Sequence, residues 1–115
     1  MSLIVTSLVY FIALLHIYFL VLEMFLWDKP SGLRAFGHSL QQAQKTKVLA
    51  ANQGLYNGFL AAGLVYSSIS NQLNFVIFFL GCVVIAGIYG AYSANKKILF
   101  IQALPAVVTL VLMAI

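Results

Sequence analysis

The stretch LIVTSLVYFIALLHIYFLVLEMFL at residues 3–26 decides the fold, because it is apolar almost throughout. A bilayer core of about 30 Å needs about 20 helical residues, so this run is long enough to cross it. The run has neither a basic leader nor a polar cleavage site of small residues, which favours a retained span over a signal peptide. Its one acidic residue, Glu23, lies one turn before the run ends at Trp27.

The composition of the whole chain agrees with a membrane location. Of 115 residues, 63% are hydrophobic and only 7% are charged, and the mean hydropathy is +1.05. Soluble domains carry about 25% charged residues. Three further apolar runs occupy residues 46–67, 73–93 and 98–113. Since helices satisfy their own backbone in lipid, the sequence predicts an all-α polytopic membrane protein, a single antiparallel four-helix transmembrane bundle.

The basic residues predict the orientation of the four spans. Cations lie in or beside the first connection, 27–45, and in the third, whereas residues 68–72 contain none. The positive-inside rule therefore places these two connections in the cytoplasm and both termini outside. The net charge of +4 is explained by this topology and by contact with anionic lipid headgroups, and nothing in it suggests nucleic acid. The cations are Lys29, Arg34, Lys45, Lys47, Lys96 and Lys97.

The first connection has a local pattern of its own. Pro30-Ser31-Gly32 predicts a turn, and the apolar residues that follow it predict a short cytoplasmic helix at the membrane interface. Ser39, with Gln42 three residues later, predicts that the next helix begins at Leu40. Asn71 is predicted to cap the helix after that.

The polar side chains of the spans form the candidate site. Counting about 1.5 Å per residue from the cytoplasmic edge places Glu23 level with residues 50–53 and His16 level with Asn57. Most of these side chains fall in the cytoplasmic half, which predicts a polar cavity open to the cytoplasm and closed by an apolar outer half. The candidates are His16, Glu23, Asn52, Gln53, Tyr56, Asn57, Tyr89, Tyr92 and Gln102.

Glu23 needs a partner, since a lipid-facing carboxylate costs up to about 2.5–3.5 kcal/mol on insertion scales. An ion pair with Lys45 or Lys47, or a protonated carboxyl bonded to Asn52, would meet that need, and so would a bound ligand or proton. His16 has a structural alternative as well, a neutral imidazole bonded to Asn57 or Tyr56. Since His16 and Glu23 are about 10.5 Å apart in helical rise, they cannot share one ion, and no metal site or cofactor is predicted.

Small residues predict close helix contacts, either within the chain or across a homodimer. Gly54 with Gly58 forms one such seam, and Gly87 with Ala91 forms another. Pro105 removes a backbone hydrogen bond and predicts a kink beside Gln102.

Three segments together resemble a known family: LEMFLW at residues 22–27, AFG at 35–37 after Pro30 and Gly32, and TKVLAANQGLYNGFLAAG at 46–63. They are similar to the bacterial family of uncharacterised four-span membrane proteins, domain of unknown function thirteen hundred and four. The resemblance extends over essentially the whole chain and implies a bacterial cytoplasmic membrane protein without assigned catalytic residues. The overall plan also resembles that of small multidrug transporters, without a shared motif.

The favoured hypothesis for function is therefore a polar, Glu23-containing intramembrane site that binds a small ligand, a lipid or a partner helix. The alternative is a proton-coupled transporter of small molecules that uses Glu23, as a dimer. An enzyme is least favoured, since no nucleophile lies beside a base at a recognisable spacing and no HExxH or phosphate-binding glycine loop is present.

Overall fold

The computed structural model describes all residues 1–115, and every element in it is a helix. The elements in chain order are α1 (Leu3–Met24), α2 (Pro30–Phe36), α3 (Leu40–Ile69), α4 (Leu73–Ser93), a π-helical segment (Leu99–Ala103) and α5 (Leu104–Ala114). The predicted all-α class is confirmed. The chain divides into a central unit, Leu14–Ala61, and a terminal unit made of Met1–Ala13 and Ala62–Ile115.

Two of the helices have the length and composition of a membrane span. They are α1, with 22 residues, and α4, with 21, and the mean hydropathy reaches 2.3 in each. The longest helix, α3, has 30 residues, but it carries polar side chains in its middle and does not belong to this class. The apolar segment Leu99–Ala114 is shorter than a span of this kind.

In the central unit, the connection between α1 and α3 is itself helical. Pro30 begins α2 instead of the predicted turn, because its fixed φ and missing N–H suit the first turn of a helix. Gly37 ends α2 in the left-handed region at φ 66°, and its N–H bonds to the Leu33 carbonyl. The predicted start of α3 at Leu40 is confirmed, since the Ser39 hydroxyl accepts the N–H of Gln42 at 3.1 Å.

In the terminal unit, the predicted cap at Asn71 is wrong. Asn71 lies at φ 55°, and its N–H bonds to the Ser68 carbonyl while the N–H of Gln72 bonds to that of Ser67. These bonds form a Schellman-type end to α3, and asparagine tolerates the left-handed conformation that such an end needs. The next helix, α4, begins at Leu73 without a side-chain cap.

Pro105 changes the helix type locally. It lies in the first turn of α5, directly after the π-helical segment, and the Leu104 N–H reaches back five residues to the Leu99 carbonyl. The predicted run 98–113 is thus a π-helical turn followed by an α-helix. An added Cβ at Gly87 would lie 2.7 Å from the Cβ of Ala103, so α4 and the π-helical segment pack closely.

The core of the terminal unit consists of aliphatic side chains with almost no exposed surface. They are Val9, Ile12, Leu64, Val76, Leu80, Val83 and Ala106.

Candidate functional site

The pairing of α1 with α3 inside the central unit positions the candidate site. A Cβ added at Gly54 would lie 2.7 Å from the Met24 side chain, and one added at Gly58 would lie 2.7 Å from the Leu20 side chain. The Gly54/Gly58 seam therefore holds α1 of the same chain, and these glycines let the two backbones approach. Because higher residue numbers on α3 meet lower numbers on α1, the two helices run antiparallel.

Glu23 and Asn57 meet at this seam. The Nδ2 atom of Asn57 donates a hydrogen bond to Oε1 of Glu23 at 2.5 Å, and the two residues are only 7% and 8% exposed. Side chains on a helix lean toward its N-terminus, so the Glu23 carboxyl extends toward the C-terminal end of α3 and reaches Asn57. Counting by Cα level missed this direction, and the predicted partners Lys45, Lys47 and Asn52 are corrected to Asn57.

Lys47 pairs instead with Asp28, the other acidic residue of the chain. Its Nζ lies 3.1 Å from Oδ2 of Asp28, whose side chain is 14% exposed. The hydrogen bond from Lys47 lowers the pKa of the Asp28 carboxyl below its usual range. Beside this pair, the indole N–H of Trp27 donates to the Thr46 hydroxyl at 3.0 Å. The two contacts hold the end of α1 against the first turns of α3.

Three aromatic rings in the connection between α1 and α3 pack together next to these contacts. The Trp27 ring lies 4.8 Å from the Phe36 ring and 4.3 Å from the His38 ring, centroid to centroid. The His38 Nε2 atom is also 3.3 Å from the Trp27 carbonyl oxygen. A Cβ at Gly32 would overlap the Leu26 carbonyl oxygen, so the backbone of α2 lies directly against the residues that follow α1.

Sequence reasoning missed Asp28 and His38 as structural partners. The sequence carries no signal for them, since neither Trp27 with Thr46 nor Asp28 with Lys47 stands at a spacing that marks an antiparallel helix pair.

The remaining candidate residues occupy two kinds of environment. His16 is fully buried, with its ring edge-to-face against Phe19 at 5.5 Å, and Gln102 is buried in the π-helical segment. The side chains of the other five candidates are exposed, so the structure does not bring them together with Glu23 and Asn57 in one buried site. They are Asn52, Gln53, Tyr56, Tyr89 and Tyr92.

The three candidates on α3 are exposed because of their angular positions around the helix axis. At 100° per residue, Gly54 and Asn57 share the face that packs on α1, as do Ala50 and Ala61. Asn52 and Tyr56 point to the opposite side of the helix, and Gln53 lies on its flank. The structure therefore brings together Glu23 and Asn57 and does not add the three other polar residues of α3 to them.

A buried carboxyl held by one carboxamide can bind a proton or a donor group. A carboxylate offers about four acceptor positions, and Asn57 uses one of them. No group of three His, Cys, Asp or Glu side chains that could hold a metal ion is present.

Comparison with known proteins gives a family but no activity. The family model described as Protein of unknown function (DUF1304) matches residues 10–114. Uncharacterized protein YpaA of Lactococcus lactis subsp. lactis (strain IL1403) is 32% identical over 104 residues, which cover 87% of each chain. No solved structure matches. The match begins at residue 10, and the family description names no four-span architecture.

Proposed function

The chain belongs to the family of proteins of unknown function (DUF1304), and we propose that it is a small multi-pass membrane protein whose Glu23 and Asn57 bind a small ligand, a lipid or a partner. The ligand carries a hydrogen-bond-donating or basic group that complements the carboxyl. No cofactor is part of this proposal.

The proposed topology has four spans, contributed by α1, α3, α4 and the helical stretch from Leu99 to the C-terminus. The bundle lies in the bacterial cytoplasmic membrane with both termini outside. Its support is the position of the cations: Lys47 forms its ion pair at the same end of α1 as the connection 27–45, and Lys96 and Lys97 lie between α4 and the π-helical segment.

One observation carries the proposed binding role, namely a carboxyl that is buried in an apolar helix pair beside an amide and not beside a cation. Ionisable groups inside a membrane are functional candidates by default, because their insertion is costly. Since Lys47 is engaged by Asp28, the Glu23 carboxyl is left for another donor.

The test uses chain reconstituted in nanodiscs, with short-chain phosphatidylethanolamine and butylammonium as probes. We expect saturable retention of a probe, reduced at least tenfold by Glu23→Gln. Asp28→Asn is the matched control, because it removes the only other acidic side chain and leaves the Glu23 site intact. Short-chain phosphatidylcholine, which has no N–H donor, serves as the ligand control. Equal retention by wild type and Glu23→Gln would overturn the proposal.

Proton-coupled transport is the second candidate, favoured by the fact that Glu23 is the only acidic residue within a helix. In this function, a substrate displaces the proton of Glu23 and crosses the bilayer, with the chain acting as a dimer. Liposomes that contain a pH-sensitive dye measure proton release when butylammonium is added. Release that depends on Glu23 and survives Asp28→Asn supports transport, whereas identical release from Glu23→Gln liposomes excludes it.

A further inference from the structure

One face of α3 packs on α1, and the opposite face is open between Leu49 and Phe59. The open face carries a stripe of four side chains at alternating spacings of three and four residues: Leu49, Asn52, Tyr56 and Phe59. Leu49 is 72% exposed, and Tyr56 and Phe59 are each 56% exposed. We call these four residues the α3 stripe.

The spacing of the α3 stripe is that of a helix-pairing seam. Apolar residues that alternate every three and four positions keep one face of a helix turned toward a partner helix. The two rings at its C-terminal end are already ordered, since Tyr56 and Phe59 lie edge-to-face with their centroids 5.7 Å apart. A partner helix would therefore meet a largely preformed surface.

Asn52 is the polar member of the α3 stripe. Its carboxamide is exposed and forms no hydrogen bond within the chain. A polar group without a partner is costly in hydrocarbon, where asparagine side chains bond across helices instead. A single polar residue in a pairing seam also fixes the register of the two helices.

We propose that the α3 stripe is a dimerisation surface that pairs with the same stripe of a second copy of this chain. The inference rests on the proposed function, because it takes α3 to be a membrane span. Two copies inserted in the same orientation are related by a twofold axis along the membrane normal, so residues near the axis meet their own counterparts. A carboxamide both donates and accepts, so the two Asn52 side chains complement each other.

This surface is distinct from the small-residue seams of the chain. Gly54 and Gly58 are covered by α1, and Gly87 is covered by Ala103, each within the same unit. A dimer therefore has to use another face, and the α3 stripe supplies one with an unsatisfied donor and acceptor at its centre.

The first experiment is disulfide trapping in native membranes, in a Cys82→Ala background that removes the only native thiol. Asn52→Cys and Phe59→Cys should each give a covalent dimer when oxidant is added. Val21→Cys is the matched control, because Val21 is exposed on α1, half a turn from Glu23. We expect its dimer yield to be at least tenfold lower. Equal yields at positions 21 and 52, or no dimer at either stripe position, would overturn the inference.

The second experiment measures the dimer dissociation constant in bilayers by energy transfer between labelled chains. Asn52→Ala should weaken dimerisation about sevenfold, which corresponds to two hydrogen bonds at about 0.6 kcal/mol each. Leu55→Ala, on the same helix but off the α3 stripe, should leave the constant unchanged. A dissociation constant that Asn52→Ala does not alter would contradict the pairing of the two carboxamides.

The failure of this inference can be told apart from failure of the proposed function. Probe retention at Glu23 is measured in the same Asn52→Ala chain and should equal that of wild type. If disulfide trapping fails while probe retention and membrane association are unchanged, only the dimer proposal is refuted. If alkaline carbonate releases the chain from membranes, both proposals are refuted.

Discussion

Buried polar side chains find their hydrogen-bond partners in different places in the terminal and the central unit. In the terminal unit, the buried hydroxyls of Ser67 and Thr109 bond to carbonyls of their own helices, Gly63 at 2.6 Å and Pro105 at 2.7 Å. In the central unit, the carboxyl of Glu23 is satisfied by a side chain of another helix, Asn57. A hydroxyl bonded within its helix needs nothing from its neighbours, whereas the Glu23 bond exists only while α1 and α3 keep their register.

The comparison predicts that the terminal unit is most sensitive to lost apolar volume. Leu80→Ala removes a fully buried side chain and should destabilise the fold by about 2–5 kcal/mol, measured by thermal or denaturant unfolding in detergent. Ile85→Ala, on the same helix but 70% exposed, is the control and should change stability little. Equal losses from the two variants would mean that aliphatic packing does not stabilise this unit.

The central unit should be more sensitive to loss of a polar partner. Asn57→Ala leaves the buried Glu23 carboxyl without its donor and should cost about 1–3 kcal/mol of unfolding free energy. In the terminal unit, Thr109→Val removes a hydroxyl that bonds only to its own helix, so it should cost less than half as much. A larger loss for Thr109→Val would reverse the comparison.

Alanine substitutions at two glycines test how closely the helices pack at one position in each unit. A methyl group at Gly54 would lie 2.7 Å from Met24 and 3.0 Å from Glu23, so Gly54→Ala should destabilise the chain by about 1–2 kcal/mol net of its gain in helix propensity. A methyl group at Gly81, in α4 of the terminal unit, meets nothing within 4 Å. Gly81→Ala should therefore be neutral or stabilising by up to about 1 kcal/mol in unfolding experiments. If both variants unfold alike, the helices of the central unit are not closely packed at Gly54.

The smallest expected effect belongs to the Asp28–Lys47 pair, whose lysine side chain is 55% exposed. The pKa of Asp28 is lower in the folded chain than in the unfolded chain, so the pair stabilises the fold above the unfolded value of about 3.9. That stabilisation disappears as the pH falls from there through the folded pKa. Unfolding curves between pH 5 and pH 2 should show a slightly smaller acid loss for Asp28→Asn than for wild type. Identical pH profiles would show that the pair does not contribute.

Much of the fold follows from local sequence signals. Hydropathy predicts the extent of α4, and the Ser39–Gln42 pattern predicts the start of α3. The misjudged features depend on backbone conformation that the residue types allow but do not dictate. Pro30 suits a turn as well as a first helical turn, and Asn71 suits a cap as well as a left-handed helix end. The π-helical turn before Pro105 was foreseen only as a kink.

The site was harder to predict than the fold. The sequence does not show in which direction a long side chain extends or how a helix is rotated about its axis. Sequence identified Glu23 and Asn57 as candidates, but it set their depth by Cα position and ignored the lean of a long side chain. It also placed Asn52, Gln53 and Tyr56 in the predicted cavity together with Asn57. The rotation of α3 is fixed by Gly54 and Gly58 against α1, and that choice turns Asn52 and Tyr56 away from Glu23.

The π-helical segment gives the chain a place where its length can change inside a helix. A turn closed by a bond to the fifth residue back contains one residue more than an α-helical turn. Phe100 lies in this turn and is 62% exposed, so its excision would leave a regular helix with α5 in the same angular phase. Natural insertions and deletions in such a chain can therefore be absorbed here, where a helix normally tolerates none.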